Sequence, residues 1–119
     1  MNRFLKSFGY AFSGLSYAFK TQFNFKVHIV ALVVVSCAGW YFKLSGAEWL
    51  WIVMASGMVL MAELLNTGLE VLVDLVSPDI HPKAKIIKDV AAAAVLVTAF
   101  TAVVIGLVIF LPKIFDYAA

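Results

Sequence analysis

From Val90 to Leu111 the chain runs for twenty-two residues without a single charge. About twenty apolar residues in a helix cross the roughly 30 Å hydrocarbon layer of a bilayer, so this run alone predicts a membrane-spanning helix. Lys88-Asp89 opens it within a helical element at 87–111, Pro112-Lys113 closes the span, and Ala91 to Ala94 allow close approach of a neighbouring helix. Composition points the same way, because 64% of the 119 residues are hydrophobic and only 13% are charged, against about 25% charged in soluble domains. The expected fold is therefore all-α and integral to the membrane, a single membrane domain over 1–119. A net charge of +2, with Lys and Arg clustered by segment, argues against a nucleic-acid partner. Cys37 is the only cysteine, which excludes an intramolecular disulfide and a thiolate metal site within one chain.

The remaining elements follow from periodicity and punctuation. Over 1–20, Leu5, Phe8, Phe12, Leu15 and Phe19 recur every three or four positions, with Arg3, Tyr10, Tyr17 and Lys20 on other faces. That pattern predicts an amphipathic helix lying in the headgroup plane of membrane lipids. Its serines and glycines interrupt any continuous apolar core, so it is read as retained and not as a targeting peptide. A polar elbow at Thr21 to Lys26 precedes a first span at 27–42, ended by Trp40, Tyr41 and Lys43. Sixteen residues reach only about 24 Å, so bilayer thinning or extension into the flanking turns is implied. Ser45-Gly46 reads as a tight turn. The second helix then runs over 49–76 without a breaker, longer than a crossing needs, and its last turns are expected to project from the membrane.

That second helix carries the feature most in need of a reason. Glu63, Asn66, Glu70 and Asp74, spaced by three, four and four, stack on one helical face. An ionisable group near hydrocarbon costs about 2.5–3.5 kcal/mol on insertion scales and usually faces a bundle interior or a polar cavity. Lys and Arg number seven on the side of this face (Arg3, Lys6, Lys20, Lys26, Lys83, Lys85, Lys88) and two opposite, Lys43 and Lys113. The bias places the N-terminus and the acidic face in the cytoplasm, as expected of a multi-pass protein of a plasma membrane.

Gathered at that surface are Glu63, Asn66, Glu70, Asp74, Lys88 and Asp89, with Gln22, Asn24 and Lys26 from the elbow. Phosphoryl transfer requires such parts: oxygen ligands for Mg2+, a cation for the transferred group, and a base beside the attacking hydroxyl. None of the seven glycines builds a Walker loop or a kinase glycine-rich loop, so a kinase built on this chain is not of a soluble type.

The motif Glu63, Asn66-Thr67, Glu70 and Asp74, together with Lys88-Asp89-Val90-Ala91-Ala92-Ala93-Ala94-Val95 and the elbow Asn24-Phe25-Lys26, resembles the prokaryotic diacylglycerol kinase family, which includes the undecaprenol kinases. The resemblance covers nearly the whole chain. It implies a homotrimer of three-span subunits that moves the γ-phosphate of magnesium ATP onto a lipid alcohol. It implies Glu63 as general base, Asn66 as a polar orienter and Glu70 as a metal ligand. Lys88 becomes the cation for the phosphates, Asp89 its partner or an orienting group, and Asp74 a further nucleotide-binding residue. The chain departs from the family where a second metal ligand is commonly glutamate, because Gln22 stands there. An amide oxygen can coordinate Mg2+ but brings no charge. The elbow and the loop His81-Pro82-Lys83-Ala84-Lys85 look more like the undecaprenol branch than the diacylglycerol branch.

Three other readings stand beside this one. The acidic face is a solvated helix extension; the chain is a small transporter or assembly subunit; or it is a catalytically degenerate kinase, with Gln22 as the lesion. A carrier would place its acid near the midplane, whereas Glu63 lies about 21 Å along the helix axis from the hairpin. His28 and His81 read as interfacial polar residues and receive no role.

Overall fold

The computed structural model describes residues 2–119; Met1, the first residue of the expected surface helix, lies outside them. The chain forms four α-helices, α1 (Asn2–Thr21), α2 (Phe23–Tyr41), α3 (Gly46–Val76) and α4 (Pro82–Ala118), with no strand among the described residues. Two of them, α2 and α4, are long and apolar enough to cross a membrane. α3 packs chiefly on α4 and less on α2, while α1 touches α2 and α3.

The connections are shorter than the sequence suggests. The elbow contracts to Gln22, whose extended backbone (φ −110°, ψ 109°) separates α1 from α2. α2 takes in residues expected in the elbow and reaches nineteen residues, or about 28 Å at 1.5 Å per residue. The second loop is also reduced, to 77–81, because Pro82 takes the first helical position, where its missing N–H is no loss. His81 caps that helix, its Nδ1 accepting from the Lys83 backbone N–H at 3.0 Å.

The hairpin between α2 and α3 differs in detail from the expected Ser45-Gly46 turn. The left-handed residue is Lys43 (φ 56°), and the Leu44 N–H donates to Gly39 O at 3.1 Å, satisfying a carbonyl left free at the end of α2. Gly46 is already helical, and Ser45 is the N-cap of a capping box. Its hydroxyl accepts from Glu48 N–H at 3.2 Å, and its own N–H donates to Glu48 Oε1 at 2.9 Å. Gly39 has to be glycine here, since a Cβ would lie 2.6 Å from the Trp49 ring and 2.9 Å from Leu44 Cδ1.

α4 does not end at Pro112 but continues to Ala118. Proline in a helix interior removes a backbone bond and costs about 3 kcal/mol, so tertiary contacts have to hold the last turns. They are present. Lys113 Nζ lies 3.1 Å from Glu48 Oε1, Tyr41 OH donates to Tyr117 OH at 2.7 Å, and Phe42 packs edge-on to Phe110. Beneath them Leu44, Ile52 and Ile109 form a small core with Val35, Trp49, Ile105 and Phe110.

Candidate active site

The buried stripe of α3 explains how the acidic face is positioned. Ile52, Ala55, Val59, Glu63, Asn66 and Val73 are all buried, with Thr67 beside them. The spacing is that of one helical face, so the apolar stripe that packs α3 against its neighbours turns polar at Glu63 without changing direction. Glu63 is 1% exposed and is the largest fully buried side chain. Thr67 Oγ1 donates to the Glu63 backbone carbonyl at 2.9 Å and so needs no partner from elsewhere.

The site divides into a deep and a shallow part. In the deep part neither Glu63 carboxylate oxygen has a hydrogen-bond partner, and Asn66 Oδ1 is likewise buried and unpaired. Nearest to the carboxylate is His28 of α2, whose Nε2 lies 3.8 Å from Glu63 Oε2, beyond hydrogen-bond length. Asn66 Nδ2 donates to Glu70 Oε1 at 3.3 Å, which ties the deep part to half-buried Glu70. In the shallow part Lys88 Nζ bonds Asp74 Oδ1 at 2.6 Å, joining α4 to α3.

Asp89 pairs with Lys85 at 2.6 Å, one helical turn back, and not with Lys88. Neighbours in a helix point about 100° apart, so Lys88 faces α3 while Asp89 faces the side that Lys85 shares. Gln22 is half-buried and its side chain makes no capping bond, Asn24 is exposed, and Lys26 Nζ sits 5.7 Å from the Phe19 ring centroid. Among the described residues no three of His, Cys, Asp and Glu converge on one point as metal ligands.

Sequence reasoning passed over His28. The signal was its phase: Phe25, His28, Leu32 and Val35 recur at three and four residues, and Phe25 is buried. His28, Leu32 and Val35 line one wall of an apolar cleft of about 460 Å³ between α2, α3 and α4. Val59 and Leu60 contribute from α3, Ala102 and Phe110 from α4. The lining of the cleft is apolar apart from Ser56 and His28, and its one ionisable wall residue is the histidine beside Glu63.

The model of the prokaryotic diacylglycerol kinase family matches residues 9–110. The chain belongs to this family. It is similar to the undecaprenol kinase of Bacillus subtilis, 44% identical over 114 residues that cover 96% of this chain and 93% of the relative. It is also similar to the diacylglycerol kinase of Synechocystis, 44% identical over 111 residues, of whose length the chain spans only 63%. The diacylglycerol kinase of Escherichia coli is 26% identical over 102 residues. Members under both names are lipid kinases, and this prokaryotic diacylglycerol kinase family member is accordingly a membrane enzyme of the lipid-kinase class.

Proposed function

We propose that this kinase transfers the γ-phosphate of ATP to the hydroxyl of a long-chain polyprenol at the cytoplasmic membrane surface, with Glu63 as the general base. The observation that carries the reading is a carboxylate buried to 1% exposure with both oxygens unpaired, beside the histidine that ends an apolar cleft. Burying such a group unpaired is costly, and orphaned polar atoms of this kind call for a functional account. The polyprenol is favoured over diacylglycerol by the relative matched along nearly its full length, which bears the undecaprenol kinase name. In this reading α3 crosses the membrane together with α2 and α4, α1 lies on the surface, and the working unit is a homotrimer.

The donor set suits a hard cation. Glu70 supplies carboxylate oxygens, the unpaired Asn66 Oδ1 is an amide oxygen within the same hydrogen-bonded group, and Gln22 is a further oxygen donor; such ligands match Mg2+. These residues would hold the ion, which would supply positive charge to offset that of the phosphates. Glu63 takes the proton as the lipid O–H bond breaks. The oxygen bonds the γ-phosphorus, the β–γ bridging bond breaks, and ADP leaves. Lys88 stabilises charge on the phosphate oxygens once it turns from Asp74, and both side chains are exposed enough to move. Asn66 holds Glu70 in place.

Labelled ATP supplied to the purified protein in bilayers with undecaprenol, diacylglycerol or no acceptor tests the reading. Labelled undecaprenyl phosphate is expected, and its loss in Glu63→Gln. Turnover of diacylglycerol alone overturns the acceptor assignment, and no lipid product with either acceptor overturns the activity.

A further inference from the structure

The two members of the deep pair are placed differently with respect to the apolar cleft. His28 lines it, whereas Glu63 lies behind, sealed from solvent. The other walls are apolar or small, and Ser56 is the only further polar side chain among them. A lipid whose chain fills this cleft brings its hydroxyl to the imidazole first.

The spacing of the pair then becomes informative. At 3.8 Å, Nε2 and Oε2 are too far apart to bond each other, and because the Glu63 oxygens are closed to water, the partly exposed imidazole has to swing aside for one oxygen atom to lie about 2.8 Å from both. A hydroxyl has the complementary inventory, one donor and two acceptor lone pairs. We propose that His28 and Glu63 together bind the hydroxyl of the lipid acceptor. The imidazole Nε2–H donates to the hydroxyl oxygen, and the hydroxyl donates to the carboxylate. As the proton passes to Glu63, negative charge grows on the oxygen that bonds phosphorus, and the Nε2–H is already aimed at it. His28 is then a catalytic residue in contact with substrate, acting as a fixed donor to a developing oxyanion. This rests on the lipid-kinase reading above and adds the residue that recognises the acceptor's reacting group.

The test is steady-state kinetics of the full chain in bilayers, with undecaprenol and magnesium ATP varied separately, for the parent, His28→Ala and His28→Gln. Removing one donor of this kind lowers turnover by about 10²-fold, so His28→Ala is expected to lose about that much in kcat/KM for the lipid. Its KM for magnesium ATP should stay within about twofold, as for an interaction made at the acceptor alone. His28→Gln, whose amide N–H can reach the same oxygen, is expected to regain part of the loss, an outcome a merely structural histidine would not give. Thermal melts establish that each variant is folded, and should His28→Ala fail to fold, His28→Gln decides by its kinetics alone. An active parent with a folded His28→Ala of unchanged kcat/KM for lipid overturns this inference and leaves the kinase reading standing. So does a variant that loses affinity for magnesium ATP as much as for lipid. A parent that phosphorylates no lipid overturns both.

Discussion

The two ends of the helix bundle treat their polar groups in opposite ways. At the hairpin end the polar side chains that pack between helices have partners. Ser45 and Glu48 cap each other, Lys113 reaches Glu48, and Tyr41 meets Tyr117. At the other end Glu63 and Asn66 are buried more deeply and carry three unpaired oxygens. Both ends come from the same helices under the same packing rules, so the difference lies in purpose. A satisfied network fixes one structure, whereas buried acceptors left open are strained until something binds to them. The comparison supports the proposed placing of the site at the Glu63 end without reference to any relative.

The sharpest way to break this comparison is Glu63→Gln. Loss of a positioned base lowers turnover by about 10²–10⁴-fold, while replacing an unpaired buried carboxyl by an amide of the same shape leaves thermal stability equal or higher. Lipid phosphorylation and a melt of the same preparation check both halves, and a variant that melts lower with activity intact would make the two ends alike. Lys88→Met comes next. It is expected to lose about 10-fold or more in kcat/KM for ATP, and little stability, because an exposed pair such as Lys88–Asp74 contributes about 0–1 kcal/mol. The opposite profile is expected at the hairpin. Gly39→Ala forces a Cβ into Trp49 and Leu44, an overpacking worth about 1–3 kcal/mol, with turnover per folded molecule unchanged.

The smallest effect is that of Glu48→Gln. The Ser45 backbone N–H, and then Lys113, hold the Glu48 carboxyl below its ordinary value of 4.5. A carboxyl lowered on folding stabilises the protein fully above that ordinary value and loses the contribution as pH falls through the lowered one. The parent should therefore lose melting temperature on acidification by slightly more than Glu48→Gln does, and the two curves should converge at the acid limit.

Much of this architecture was legible before any coordinates. The all-helical fold followed from apolar runs and their punctuation, and the acidic face from a spacing of three, four and four. What escaped were features decided by tertiary contact. Nothing about a lysine announces a left-handed backbone, yet Lys43 adopts one because the hairpin closes there. Pro112 carries every local sign of a helix end, and α4 passes through it because Glu48 and Tyr41 wait on the far side. Asp89 was a natural partner for Lys88 by adjacency, but helical geometry turns them apart and gives Lys88 to Asp74. A single histidine in an apolar run looks incidental until a second helix brings Glu63 to it.

The junction at Gln22 has a mechanical corollary. With one non-helical residue between α1 and α2, the direction in which α1 leaves α2 has almost no slack. Adding or deleting a residue there would re-aim α1 against α2, whose own phase is held by α3 and the hairpin, while leaving composition and hydropathy nearly untouched. The joint therefore works like the keyway of a shaft, and its length should be among the least negotiable dimensions of the enzyme.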